Sequence, residues 1–211
     1  MSELECLKAE CESCRKCPLG ATRTNLVFGT GDEHAELMFV GEAPGEKEDL
    51  SGVPFVGAAG QLLDRYLFAV DIPRESVYIA NILKCRPPKN RDPLPAEEDA
   101  CISYLDRQIE IVKPKLLVCL GRISAKRLIS ETFMISRQHG EWYEHNGIPI
   151  TAVFHPAALL RDPRRKGDML EDMKKIKQRL LAAEGGKEVG KACTVFVALP
   201  PILCYNTENP M

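Results

Sequence analysis

The stretch ELMFVGEAPGEKEDLSGVPFVGAAGQLL, Glu36–Leu63, decides the fold. It opens with Glu36–Gly41, a run with no polar alternation, which reads as a strand buried on both faces. A loop with Pro44 and Gly45 follows, carrying Glu42, Glu46 and Glu48. The apolar Pro54-Phe55-Val56 then leads into Gly57-x-x-Gly60 at a helix start. There, glycines let backbone N–H groups come close to an anion. Gln61–Val70 sets Leu62, Leu63, Tyr66, Leu67 and Val70 on one helical face. Strand, loop and helix in that order form one unit of an α/β domain.

Further along the chain the pattern repeats. Val77–Ile82, Lys115–Gly121 and Pro149–Phe154 are near-continuous apolar runs of strand length. Between and after them lie helix candidates at Pro95–Val112, Arg122–Ser130 and Asp168–Ala183, the first opening on a proline and two acids. Met169, Met173, Ile176 and Leu180 recur at helical spacing in the last. The predicted fold is a three-layer α/β/α sandwich around a central four-stranded parallel sheet. Such sheets bind ligands at the carboxyl ends of their strands. Three of those ends are polar or glycine-rich here: Gly41–Gly45, Asn81, and His155-Pro156-Ala157. They are expected to converge on one crevice. Near residue 185 the composition changes to GGKEVGKACTVFVALPPILCYNTENPM, which divides the chain into a domain over 1–184 and a tail over 185–211. Gly185-x4-Gly190-Lys191 is not a P-loop, because Ala192 lacks the metal-binding hydroxyl and a helix, not a strand, precedes it.

Composition sets the outer bounds. With 211 residues, 45% hydrophobic and 27% charged, the chain has the make-up of a globular protein. No apolar run approaches the ~20 residues that span a bilayer, and the start MSELECLKAE has no signal-peptide pattern. A cytoplasmic, intracellular location without a membrane partner is the expectation. The formal charge of −2 argues on its face against nucleic acid. The charges are segregated, however: residues 1–50 hold eleven acids against five bases. Lys84, Arg86, Lys89 and Arg91 form an acid-free segment, as do Lys113, Lys115, Arg122, Lys126 and Arg127. Arg161, Arg164, Arg165 and Lys166 follow the His155 segment. Charge runs are usually solvated faces, yet basic segments beside a crevice are what a phosphate backbone requires.

Nine cysteines in a reducing compartment point to metal ligation or catalysis before disulfides. Cys11, Cys14 and Cys17 overlap as C-x-x-C pairs, and Cys85 and Cys101 lie 16 apart. The best quartet is Cys14, Cys17, Cys85 and Cys101, suited to zinc or an iron–sulfur cluster, with Cys11 as a spare. Scattered free thiols are the competing reading. Cys119 sits mid-strand as an ordinary buried thiol, and Cys6, Cys193 and Cys204 have no partner spacing. Taken singly, Phe55 is a stacking face or a core residue, Asn81 a base-edge reader or a turn residue, and His155 a donor or a structural loop residue.

Together, Cys14-x-x-Cys17, GEAPGE with PFVGAAGQLL, Asn81-Ile-x-Lys-Cys85-Arg-Pro-Pro, Cys101 and HPAALLR resemble the family 4 iron–sulfur uracil-DNA glycosylases over roughly residues 10–182. The resemblance implies a 4Fe-4S cluster on Cys14, Cys17, Cys85 and Cys101, with zinc as the alternative. It implies base excision repair of uracil-containing DNA, single- or double-stranded: the base is flipped out and its N-glycosidic bond hydrolysed. By analogy Phe55 stacks on uracil, Asn81 pairs with its edge, and Gly41, Glu42 and Ala43 complete the pocket. His155 donates to the uracil O2, and Glu42 positions water or stabilises the sugar cation. Glu48 and Asn90 organise the supporting loops. Ala43 stands where other glycosylase families carry an aspartate or asparagine that activates water. Arg86, Lys89, Arg161, Arg164, Arg165 and Lys166 are the expected DNA contacts, with Leu159, Leu160 and Arg161 as candidates to fill the space left by the flipped base. A related branch forms a covalent adduct through an inserted histidine-bearing loop. RPPKNRDPLP, Arg86–Pro95, has neither insertion nor histidine, so turnover is expected. The chain is expected to act as a monomer, with a sliding clamp a possible partner. The competing class is a non-catalytic DNA-binding or polymerase-associated module with the same fold and cluster.

Overall fold

A computed structural model describes residues 1–184, and the tail assigned to 185–211 lies outside the described residues. The strands are β1 (Thr30–Gly31), β2 (Leu37–Gly41), β3 (Val77–Asn81), β4 (Leu116–Leu120), β5 (Trp142–His145) and β6 (Ile148–Val153). They form one sheet in the order β1-β3-β2-β4-β6-β5. The helices are α1 (Glu3–Glu12), α2 (Leu19–Thr22), α3 (Glu46–Ser51), α4 (Ala58–Ala69), α5 (Pro95–Val112), α6 (Arg122–Leu128), α7 (Ile135–Gln138), α8 (Pro156–Arg161) and α9 (Lys166–Glu184). No described helix is long and apolar enough to cross a membrane.

β3, β2, β4 and β6 run parallel in the middle of the sheet, while β1 and β5 pair antiparallel at its edges. The sheet is therefore six-stranded and mixed, wider than the four parallel strands expected. Both additions lack an apolar run. β1 is two residues long, and β5 is half-exposed. β5 turns into β6 through Asn146-Gly147, both at positive φ (50° and 82°), the backbone that a two-residue hairpin loop requires.

Alternate strand residues feed two cores, which explains why the runs read as continuous. Leu37, Phe39, Val77, Ile79, Leu116 and Val118 pack with α4 and α9 residues such as Leu63, Leu67, Met169 and Met173. Met38, Val40, Tyr78, Ala80, Leu117 and Cys119 pack with α1 and α5 residues such as Leu7, Leu105 and Ile109. From β2 the chain goes to one side for β3 and to the other for β4, so a crevice opens at their carboxyl ends.

Candidate active site

The crevice holds a cleft of about 460 Å³, the size of a small-molecule site. Gly41 and Asn81 end their strands side by side in register. Just beyond, the ladder continues as Ile82 N–H donates to the Gly41 carbonyl (3.1 Å) and Leu83 N–H to that of Glu42 (3.0 Å). This fixes Asn81 at 1% exposure against the cleft. Among the described residues its Oδ1 has no hydrogen-bond partner. A side chain at Gly41 would collide with that oxygen and meet the Phe55 ring at 2.8 Å, so glycine keeps the floor open.

Phe55 reaches the cleft by an unusual backbone. Its φ of 57° is strained for an aromatic residue, and the neighbours hold it there. Glu48 Oε1 accepts from the N–H groups of Val56 (3.1 Å) and Gly57 (2.9 Å), while Gly60 lets α4 pass against the Phe55 carbonyl. Glu48 thus braces the loop from inside, and its side chain also lines the cleft. The Phe55 ring lies 5.7 Å from that of His155 at 33°.

His155 caps α8, so the expected loop is a helix start. Its Nδ1 accepts from the Ala157 N–H at 3.1 Å. Burial, with help from Arg161, pushes its pKa down to about 4. A neutral ring with Nδ1 used as acceptor carries its proton on Nε2, a donor available to the cleft. Gly121, at φ 97° after β4, gives the ring its space, since a Cβ there would meet His155 Cβ at 2.8 Å. Burial, then Asp92, push the Glu42 carboxyl up to about 7, opposed by Arg122 and Arg161.

Glu42, Ala43, Glu48, Phe55, Asn81, Asn90, His155 and Arg161 all line this cleft, while Gly41 sits behind its floor. Asn90 Oδ1 accepts from Arg86 Nε (2.8 Å), and Lys89 and Asn90 sit in consecutive left-handed conformations. Three sequence readings change. Lys84 is fully buried and takes no part in the basic surface, and Arg91 is bound to Glu97 at 2.8 and 2.6 Å. Leu159 is a core residue at 1% exposure, which leaves Leu160 and Arg161 as the exposed candidates to enter a duplex. The charged rim also contains Arg122, ion-paired with Asp92, which the sequence marks as part of a basic segment but not as a site residue. Its place directly after the Leu120-Gly121 strand end was the available signal. Arg164 and Arg165 lie outside the cleft, paired with Asp162 (2.8 Å) and Asp168 (3.0 Å), and Lys89 and Lys166 are exposed.

A second cluster lies where α1 and α5 pack. Cys11 lies in the last turn of α1, Cys14 and Cys17 follow in the turn before α2, Cys85 comes after β3, and Cys101 lies in α5. The seven described cysteines are all free thiols. Arg23 Nη1 donates to Cys85 Sγ (3.2 Å), and Lys84 N–H to Cys101 Sγ (3.4 Å). Burial pushes up the thiols of Cys85 and Cys101, and that of Cys11 up to about 12, and the neighbouring thiols add to the rise. Such a set ionises together only around cationic charge. Cys11, the spare in the sequence, belongs to the same electrostatic cluster. Among the described residues no three or more Cys, His, Asp or Glu side chains are disposed to hold a single metal ion. The donor chemistry fits an iron–sulfur group: soft thiols in the required number, with N–H donors on the sulfurs.

A cleft at the strand ends and a set of thiols where α1 and α5 pack, buried at Cys11, Cys85 and Cys101, mark the class. The chain belongs to the uracil DNA glycosylase superfamily, whose family model matches residues 28–181. Within it the chain falls with the type-4 branch. It is 48% identical to the type-4 uracil-DNA glycosylase of Archaeoglobus fulgidus, over 83% of this chain and 92% of that one. The type-4 enzyme of Sulfurisphaera tokodaii is also 48% identical (84% and 85% covered), and that of Thermotoga maritima 41% (82% and 93%).

Proposed function

We propose that this chain is a uracil-DNA glycosylase that flips uracil out of DNA and hydrolyses its N-glycosidic bond, leaving free uracil and an abasic site. The observation that carries the reading is the pairing, in one cleft, of a buried unpartnered acceptor, Asn81 Oδ1, with a neutral imidazole donor, His155 Nε2–H. Uracil offers the complementary edge, a donor at N3 between carbonyls at C2 and C4. Phe55, held rigid by Glu48, supplies the stacking face. As the C1′–N1 bond breaks, its electron pair moves onto the base and charge grows on O2. A donor fixed before the reaction lowers that barrier without reorganisation. Water adds to C1′ of the oxocarbenium-like sugar, and Glu42 is placed to orient it and receive its proton. Ala43 offers no group for that task. A complete pocket of this kind has no purpose in a non-catalytic module. Action as a monomer on DNA belongs to the same reading.

Cys14, Cys17, Cys85 and Cys101 would hold a 4Fe-4S cluster, whose contribution is to fix the loops that follow β3 and α1. Iron and sulfide analysis of the purified protein checks this assignment against zinc.

Glu42 gives a prediction with a defined sign. Folded, it keeps its proton to about pH 7, against a normal value near 4.5, so the folded state binds more protons between those values. Stability contributed by this site is complete below about pH 4.5 and is lost as pH rises through about 7. Glu42→Gln is therefore expected to be more stable than wild type by about 1–2 kcal/mol at pH 8, and equal to it at pH 4, in urea melts. Its turnover is expected to fall roughly 10²-fold, and the rise of kcat/KM with pH to disappear. Wild-type stability that is flat from pH 4 to 8 would contradict the assignment.

Arg164 is 86% exposed and, among the described residues, held only by Asp162, a surface pair that a phosphate can displace at little cost. Arg164→Ala is expected to lessen the salt dependence of DNA binding by about one phosphate contact, with turnover at saturating DNA unchanged. Binding titrations between low and moderate salt measure it. An unchanged slope removes Arg164 from the interface.

A further inference from the structure

Three arginines line the cleft, and they are held in different ways. Arg91 is fixed on Glu97 by two hydrogen bonds (2.8 and 2.6 Å), and Arg161 stands exposed at the end of α8. The third, Arg122, is paired with Asp92, which lines the cleft as well. This pair joins the loop before α5 to the start of α6, 30 residues on.

Both ends of the bridge rise from fixed backbone. Gly121 N–H donates to the Val153 carbonyl (2.9 Å), and a Cβ at Gly121 would meet that of His155 at 2.8 Å. Arg122 is thus planted next to the residue that faces the departing base. On the other side, Arg91 Nη1 donates to the Asp92 carbonyl (2.9 Å), and Pro93 restricts the backbone of the residue before it. The side chains themselves are free to part: Asp92 is 59% exposed and Arg122 51%. Among the described residues neither makes another side-chain hydrogen bond or ion pair. Such a pair holds weakly, because water solvates both partners.

A carboxylate at the edge of a DNA-binding cleft repels the backbone that must come there. A base drawn into this cleft brings its sugar to Glu42 and its flanking phosphates to the edge. There a phosphate diester offers the guanidinium what Asp92 offers it in the free protein, two anionic oxygens for the fork of N–H donors.

We propose that Arg122 is the seat of a phosphate flanking the extruded deoxyuridine, and that Asp92 is the resident anion which this phosphate displaces. The proposal deepens the glycosylase reading above and rests on it. Asp92 keeps Arg122 neutralised towards DNA that lies across the surface with its bases stacked. The pair gives way to an anion delivered into the cleft with its base, so the rim favours an extruded nucleotide over a stacked one. Arg164 and Arg165, outside the cleft, meet either kind of DNA alike.

The test is a double-mutant cycle on the full chain: wild type, Asp92→Ala, Arg122→Ala and the double variant. Binding is measured to an oligonucleotide with a single 2′-fluoroarabino-uridine, whose fluorine opposes positive charge at C1′ and so keeps the bond intact. Asp92→Ala is expected to bind about two- to fivefold more tightly than wild type, and Arg122→Ala about tenfold more weakly. In the Arg122→Ala background, removing Asp92 is expected to change affinity by less than about twofold. Equal tightening in both backgrounds would show a general charge effect and overturn the proposal.

Neutral methylphosphonate then replaces, one at a time, the two phosphates flanking the fluorinated nucleotide. Wild type is expected to lose about tenfold in affinity at one of them, and Arg122→Ala to lose nothing further there. A loss in Arg122→Ala as large as that of wild type at both positions overturns the seat. With thymidine in place of the fluorinated nucleotide, wild type and Arg122→Ala are expected to bind within about twofold of each other. A tenfold difference there as well would overturn the link to extrusion. Every readout is one of binding. Wild type that shows the coupling but releases no uracil from an ordinary uracil-containing oligonucleotide would overturn the glycosylase reading instead.

Discussion

His155→Ala is expected to lower kcat about 10²–10³-fold while DNA affinity stays within about twofold of wild type. The size follows from what the imidazole does. Its Nδ1 is fixed by the Ala157 N–H and its protonation is suppressed by burial, so Nε2–H is the group left to meet charge growing on the departing base. Removing one preorganised donor of this kind costs about 3–4 kcal/mol in the transition state and little in the ground state. Because the imidazole pKa lies near 4, its loss should appear at every pH from about 5 to 9, with no histidine limb in the wild-type profile. Single-turnover rates on a uracil-containing oligonucleotide separate the chemical step from binding. A fall in affinity equal to the fall in rate would show that His155 binds DNA and does not act on the bond.

Asn81→Ala should be nearly as damaging to activity, with the opposite signature for the fold. In the free protein Asn81 Oδ1 is buried without a partner, which costs about 1–3 kcal/mol of desolvation. Uracil N3–H repays that on binding. The variant is therefore expected to lose roughly 10²–10⁴-fold in kcat/KM and to melt at or slightly above the wild-type temperature. Denaturant melts and initial rates on the same preparation test the pair of effects. A strongly destabilised variant would mean that the amide is a structural cap, as a strand-end asparagine often is.

The parts of the fold that were legible in the sequence are those buried on both faces. β2, β3, β4 and β6 read as apolar runs because their residues feed two cores at once, and α5 was bounded correctly by its proline and acidic first turn. α1 carries a weaker signal, the capping box that Ser2 and Glu5 form at its start. The edge strands escaped because they bury little, and only the Asn146-Gly147 turn marked β5. In the site, residues at strand ends were legible from position: Glu42 follows β2 directly, Asn81 is the last residue of β3, and His155 lies two residues past β6. The left-handed backbone of Phe55 was not legible, since it arises from Glu48 accepting two N–H groups across the loop. Lys84 misled for a related reason. A lysine in a basic run is read as solvated, and only the packing of Gln108 and the Asn81 carbonyl around Nζ shows otherwise.

The central claim is that one cleft recognises uracil and breaks its bond to DNA. Purified, iron-loaded protein incubated with an oligonucleotide carrying a single uracil, then treated with alkali, tests it most directly. The account expects free uracil in an amount equal to the abasic sites formed, and strand cleavage confined to the uracil position. An oligonucleotide that is bound but recovered intact, with no uracil released, would contradict it.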